Sequence, residues 1–289
     1  MNTMSRGNRG TGSRWLACAV GVVVTAAAVV VGTGGAADAA PRSAVDGGGV
    51  PTPFVGISHA PHGGRATSNS LDWAGFAATG PTVTSVSGSW VQPTVTCPVK
   101  KLQQSAFWVG IDGFDSTDPT VQQIGTDADC IKKVKKVPGG PVHYAWYEMY
   151  PAGLMVLDPA TYPVHPGDAL TGSVTLVGSS YVLALTDAGH WTFTTTQPAG
   201  TPTPLNASAE WITEAPISCT TSSCKPLPLA DFGSVAFTGA TVNGLPVNGT
   251  GLTSHQITMT KNKKGTIVKA STSALDVTGH AFSVDWLSN

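Results

Sequence analysis

Ser105–Cys130, SAFWVGIDGFDSTDPTVQQIGTDADC, is the segment on which the reading of the chain turns. It opens with a dense apolar run, passes two glycine-bounded turns and sets paired glutamines inside what reads as a strand. Side chains alternate across a strand, so Phe107, Val109 and Ile111 fall on one face and Trp108 and Asp112 on the other. The first trio suits a core. In TVQQIG, Val121, Gln123 and Gly125 oppose Gln122 and Ile124. A glutamine inside an apolar strand must find partners or lie on an open groove.

The same strand text runs outward from this segment. DWAGFAAT and TVTSVSGSWVQP precede it; HYAWYEMYP, GDALTGSVTLVG, YVLALTD, HWTFTTT, SAEWITEAP, SVAFTGATV, SHQITMTK and GTIVKAST follow. Asp187-Ala188-Gly189 and NKKG read as hairpin turns. About a dozen strands with turn signals between them, and no convincing helix, mean a β-sandwich or barrel. Residues 69–289 are the right size for one such domain, which often runs to about 200–250 residues.

Of the 289 residues, 16 are Lys or Arg and 17 Asp or Glu, for a net charge of −1. With no basic stripe, nucleic-acid binding is not expected, and electrostatics points to no partner. Lys100, Lys101, Lys132, Lys133, Lys135 and Lys136 form two clusters that read as solvated loops and strand edges.

The N-terminus carries Arg6, Arg9 and Arg14, an apolar stretch from Trp15 to Val31, and Ala37-Asp38-Ala39 before Ala40. This is the pattern of a cleaved secretory signal over residues 1–39. At about 17 residues the stretch is marginal for a retained anchor, so secretion without stable membrane association is expected. Residues 40–68 are rich in Gly, Pro, Ala and Ser and read as a flexible pro-segment or linker. Cys97, Cys130, Cys219 and Cys224 remain after the signal, an even number that fits two disulfides in an oxidising compartment. Cys219 and Cys224 bound the short loop CTTSSC, which leaves Cys97 with Cys130; this is a preference among three connectivities. No histidines sit at zinc-ligand spacing near them, and no metal or cofactor is expected. His143 and His190 look structural.

Alternation puts Tyr144, Trp146, Glu148 and Tyr150 on one face of their strand, and Glu210, Ile212 and Glu214 on one face of theirs. If the smaller, more apolar sets pack inward, Trp108, Asp112, Gln123, Trp146, Glu148, Tyr150, Glu210 and Glu214 could gather on one outer face. That face would suit an extended polymer; it would equally be an ordinary wet sheet surface. No G-x-S-x-G elbow, H-E-x-x-H helix or aspartic-peptidase Asp-Thr/Ser-Gly pair is present. Carboxylates and Gln123 are the candidates that remain. One carboxylate can activate water and later protonate a leaving group, and a positioned amide can hydrogen-bond the oxyanion.

FWVGIDG, VQQIGTD, AWYEMYP and SAEWITEAP, in that order, with DWAGF and VSGSWVQP upstream, resemble the eqolisin-type glutamic peptidases (peptidase family G1), best known as secreted fungal acid peptidases. The resemblance runs from about Asp72 to the C-terminus. It implies an all-β fold, a two-sheet antiparallel β-sandwich of concanavalin A or lectin-like topology, with the active site on the concave sheet. It implies a glutamine–glutamate catalytic pair, falling on Gln123 and Glu214, with Trp108, Asp112, Trp146, Glu148 and Tyr150 in substrate-binding or supporting roles. The Cys219–Cys224 loop is similar to a family disulfide, whereas Cys97–Cys130 departs from it. A monomeric endopeptidase acting on polypeptides follows. Two rivals stand beside it: a carbohydrate-active sandwich using Glu148 and Glu214 with Trp108 and Trp146 stacking sugars, and a binding module without turnover.

Overall fold

The computed structural model describes residues 69–98, 101–115, 117–133, 139–219, 224–262 and 264–289, with only the backbone of 42–43, 57–58 and Cys219. The expected signal peptide and nearly all of residues 40–68 lie outside these. All described residues belong to one compact unit, Ala39–Asn289.

The strands are β1 (Arg42–Ser43), β2 (Ile57–Ser58), β3 (Asn69–Ser70), β4 (Trp73–Thr79), β5 (Ser85–Val91), β6 (Ala106–Ile111), β7 (Val121–Ile131), β8 (Gly140–Tyr150), β9 (Leu154–Val156) and β10 (Ala169–Val177). They continue as β11 (Ser180–Asp187), β12 (Trp191–Pro198), β13 (Ser208–Glu214), β14 (Ile217–Cys219), β15 (Cys224–Pro226), β16 (Ser234–Val242), β17 (Leu245–Pro246), β18 (Thr253–Thr260), β19 (Val268–Thr272) and β20 (Phe282–Trp286). The described residues hold no α-helix, and so none long and apolar enough to cross a membrane. The fold is all-β, as expected, and both expected hairpins form: Asp187 pairs with Trp191 across one, and β18 pairs with β19 across the other.

Two antiparallel stretches of sheet carry the architecture. The first runs β18–β4–β13–β6–β7–β8–β9–β1. The second runs β12–β11–β10–β5–β16–β20–β19–β18. β18 serves both: Thr253–Ile257 pairs with β4, and Met259 and Thr260 pair with β19.

One apolar cluster draws on both stretches, including Phe107, Val109, Ile111, Ile124 and Trp211 from the first and Trp90, Leu170, Leu183 and Phe237 from the second. All of these are buried, each contributing about 1.5–3 kcal/mol of transfer free energy. The approach is close at Gly88, where an added Cβ would stand 2.7 Å from the Trp211 ring. Trp211 also sends its indole N–H to the Ser87 carbonyl, 2.7 Å away, satisfying the one polar atom it carries inside. Cys97 and Cys130 form the expected disulfide, tying the approach to β6 to the end of β7. Cys224 is also disulfide-bonded, and Cys219 stands opposite it in the backbone register.

Candidate active site

Because β6, β7, β8 and β13 turn one set of side chains into this cluster, alternation turns the other set to the far face of the sheet. There Trp73, Trp108, Val121, Trp146, Ile212 and Ile257 form a second apolar cluster. Gln123, Glu148, Glu210, Glu214 and Asp127 stand among them, all fully buried. The face expected from the sequence therefore exists, and it is a dry one.

Register orders this face into rows across the strands. One row reads Ala77, Glu210, Gly110, Gln123, Glu148, Leu154. The next reads Gly75, Ile212, Trp108, Gly125, Trp146, Val156. The third reads Trp73, Glu214, Ala106, Asp127, Tyr144.

Glu210 shares the Gln123 row and Glu214 stands two rows further along the same strand, so both carboxyls of β13 face the side of the sheet that Gln123 faces. Between Glu210 and Gln123 the intervening strand presents Gly110. A Cβ at Gly110 would lie 3.1 Å from Gln123 Cβ and 3.0 Å from the Trp108 ring, so the row needs a glycine there. Glu148 lies in the Gln123 row, while Glu214 lies two rows away and three strands over, so the two are not register neighbours.

Each group has a definite setting. Gln123 Nε2 donates to Glu148 Oε2 at 3.2 Å, a bond between directly opposed residues. Neither Glu210 oxygen makes a well-formed hydrogen bond, and the Ser208 side chain stands loosely beside it. Burial pushes the Glu210 carboxyl well above the usual carboxylate range, Ser208 opposes the shift, and the charges of Asp112 and Asp118 add to it. Glu214 Oε2 accepts from Trp108 Nε1 at 2.7 Å, and Trp108 meets Trp73 edge-on with ring centroids 5.0 Å apart. Burial, then the charge of Asp72, pushes Glu214 up, against the indoles of Trp108 and Trp73.

Trp146 is held in the same manner. Its indole N–H donates to Asp127 Oδ1 at 2.6 Å, while the Tyr144 hydroxyl lies 2.7 Å from Asp127 Oδ2 and 3.1 Å from Asp129 Oδ2. One hydroxyl proton cannot serve two carboxylates, and burial pushes Asp129 up to about 7, against hydrogen bonds from Gln104, Tyr144 and the Ser105 backbone. Tyr150 is half-buried and packs at the rim of the second cluster. Asp127 and Asp129 were not among the sequence candidates. Their signal was available, since both alternate with core residues in GTDADC on the Gln123 face.

Asp112 does not sit in these rows. Its backbone is left-handed, with φ at 70°, which takes it out of strand alternation. Its carboxylate instead accepts from the N–H groups of Asn206 and Ala207 at 2.9 and 2.7 Å. His190 pairs with Asp187 at 2.9 Å, and with Asp168 these form a grouping of ligand atoms within 4.8 Å on the second sheet, apart from the Gln123 face. His143 lies inside β8 and is partly buried.

The family profile of the Peptidase A4 family matches residues 71–281. A scytalido-glutamic peptidase crystallised with a peptide-based transition-state analogue superposes with a TM-score of 0.60 at 22% identity, covering 75% of this chain and 98% of that one. The same enzyme with a transition-state analogue inhibitor gives 0.61 at the same identity and coverage. SCP-B, a member of the eqolisin family bound to the tripeptide Ala-Ile-His, gives 0.57, again at 22% identity and 75% and 98% coverage. No protein of curated function matches the chain.

Proposed function

The chain belongs to the Peptidase A4 family, the eqolisin group of peptide-bond hydrolases, and from that premise we propose that Gln123 and Glu214 are its working pair. The observation that carries this is the shared face: an amide and a carboxyl on alternate strands, bridged by Trp108, whose indole N–H meets Glu214 Oε2 at 2.7 Å and whose ring stands 3.0 Å from a Cβ placed at Gly110, the residue opposite Gln123. A water held between the two would lose a proton to Glu214 as its oxygen attacks the scissile carbonyl carbon. The Gln123 amide donates a hydrogen bond to the oxyanion that forms. When the tetrahedral intermediate collapses, Glu214 gives the proton to the departing nitrogen and returns to its starting state. Glu148 sets the orientation of the Gln123 amide. Trp108, Trp146 and Tyr150 flank an extended polypeptide, with Asp127 positioning the Trp146 indole.

The likeness to eqolisin structures supports reading the two stretches of sheet as the layers of a lectin-like sandwich. Secretion accords with the N-terminal pattern and the Cys97–Cys130 bond. We read residues 40–68 as a pro-segment. Its β1 backbone pairs with β9 beside Glu148, its β2 backbone pairs with β14 just past β13, and the Gln123 face is buried in the full chain. Its removal is expected to raise activity.

Digestion of an unfolded protein in acid, with pepstatin present, tests the reaction. Fragments should form with wild type and disappear with Glu214→Gln at an unchanged circular dichroism spectrum. Undiminished cleavage by Glu214→Gln would refute the pair.

A further inference from the structure

Away from the Gln123 face, two tight turns meet at one end of the second stretch of sheet. His165-Pro166-Gly167-Asp168 leads into β10, and Asp187-Ala188-Gly189-His190 joins β11 to β12. Each closes with a bond from its fourth N–H to its first carbonyl: Asp168 to His165 at 3.2 Å, and His190 to Asp187 at 3.0 Å. Each places a left-handed glycine third, Gly167 with φ at 95° and Gly189 at 85°. Closing such a turn brings its first and fourth residues together, so a histidine meets an aspartate in both. His165 Nδ1 lies 3.5 Å from Asp168 Oδ2, and His190 Nδ1 lies 2.9 Å from Asp187 Oδ2. The turns are themselves joined: the Ala188 N–H donates to the Ala169 carbonyl at 2.9 Å, and Leu170 stands opposite Asp187 in register.

One ligand atom each from Asp168, Asp187 and His190 consequently lies within 4.8 Å of the other two. Tetrahedral bonds of about 2.0–2.2 Å set ligand atoms roughly 3.3–3.6 Å apart. The 2.9 Å and 4.8 Å separations bracket that value, so small side-chain movements make the trio a coordination sphere. A second observation points the same way. Asp187 is 2% exposed, and its other oxygen, Oδ1, is enclosed with no hydrogen-bond partner among the described residues. A buried carboxylate oxygen left in that state is costly. Two carboxylates this close also repel each other. Among the described residues their salt-bridge partners are the two histidines, with no Lys or Arg. A bound cation supplies the missing partner and removes the repulsion.

We propose that Asp168, Asp187 and His190 bind one divalent transition-metal cation of the Zn²⁺ class, with water completing its coordination, as a clamp between the 165–168 turn and the β11–β12 hairpin. The donor set decides the class. Ca²⁺ takes about six to eight oxygen ligands, whereas an imidazole beside carboxylates suits Zn²⁺. His190 is the adaptable member: its side chain is mostly exposed and can turn to the metal, while Asp187 is fixed inside. Asp168 is steadied from its own turn, its Oδ2 accepting from the His165 backbone N–H at 2.6 Å. The clamp stands apart from Gln123 and Glu214, so it acts on stability and does not depend on the catalytic assignment.

The test is calorimetric titration of the intact protein with zinc chloride at pH 7, beside calcium chloride, using wild type, Asp168→Asn and His190→Gln. Wild type should bind one Zn²⁺ per chain with a micromolar or tighter Kd, and Ca²⁺ about a hundredfold more weakly or not at all. Each variant should lose about a hundredfold in Zn²⁺ affinity. Excess Zn²⁺ should raise the Tm of wild type and leave both variants where they were. His190 is exposed, so His190→Gln keeps the comparison readable even if Asp168→Asn fails to fold. Three results would each overturn the site: no Zn²⁺ binding by wild type up to millimolar concentration, equal affinity for Ca²⁺, or undiminished Zn²⁺ binding by folded His190→Gln.

Discussion

On the sheet that contains β6, β7 and β13, Phe107, Val109, Ile111, Ile124 and Trp211 turn one way, while Trp108, Gln123, Glu210 and Glu214 turn the other. Both sets are buried, so exposure does not separate them. What separates them is what burial costs. The first set loses only water. The second set places carboxyl and amide groups where desolvation is expensive, and recovers part of that cost through Trp108–Glu214, Gln123–Glu148 and Trp146–Asp127 bonds.

The contrast can be broken in four ways. Burial raises carboxyls on the polar face and at its end. Asp112 and Asp129 both sit at about 7 against 3.8 unfolded, so stability should be highest below about pH 4 and fall towards pH 7. The loss is of order 4 kcal/mol for each group, at about 1.4 kcal/mol per pH unit. Urea melts at pH 4 and 7.5 read it, and equal midpoints would contradict it. Phe107→Ala, on the apolar face, should cost about 3–5 kcal/mol of stability and leave kcat/KM per folded molecule unchanged. Gln123→Ala, one face over, should do the reverse: about 2.7–4 kcal/mol of transition-state stabilisation lost, with little change in melting. The smallest effect belongs to Glu210→Gln. Its carboxyl oxygens make no well-formed hydrogen bond, so kcat/KM should fall by less than about tenfold, or 1.4 kcal/mol.

Strand alternation was enough to sort Trp108, Gln123, Trp146, Glu148, Glu210 and Glu214 onto one face, because a period of two needs no tertiary information. Choosing between Glu210 and Glu214 was beyond it. Both satisfy the same alternation and both face the Gln123 side, and it is the family resemblance that singles out Glu214. Asp112 escapes it for a different reason: a left-handed residue at a strand end no longer obeys the period. Asp118 carried no signal in the sequence, since its bond to the Leu205 N–H depends on a loop 87 residues away. The Cys97–Cys130 bond was within reach by elimination, and it forms.

The most direct test of the central claim is a pair of double-mutant cycles on kcat/KM with a peptide substrate, joining Gln123→Ala first to Glu214→Gln and then to Glu210→Gln. If Gln123 and Glu214 act as a unit, their double variant should lose little more than Glu214→Gln alone, whereas the losses for Gln123 and Glu210 should multiply. Multiplying losses for the Glu214 cycle, with the non-additivity appearing at Glu210 instead, would contradict the assignment of the pair.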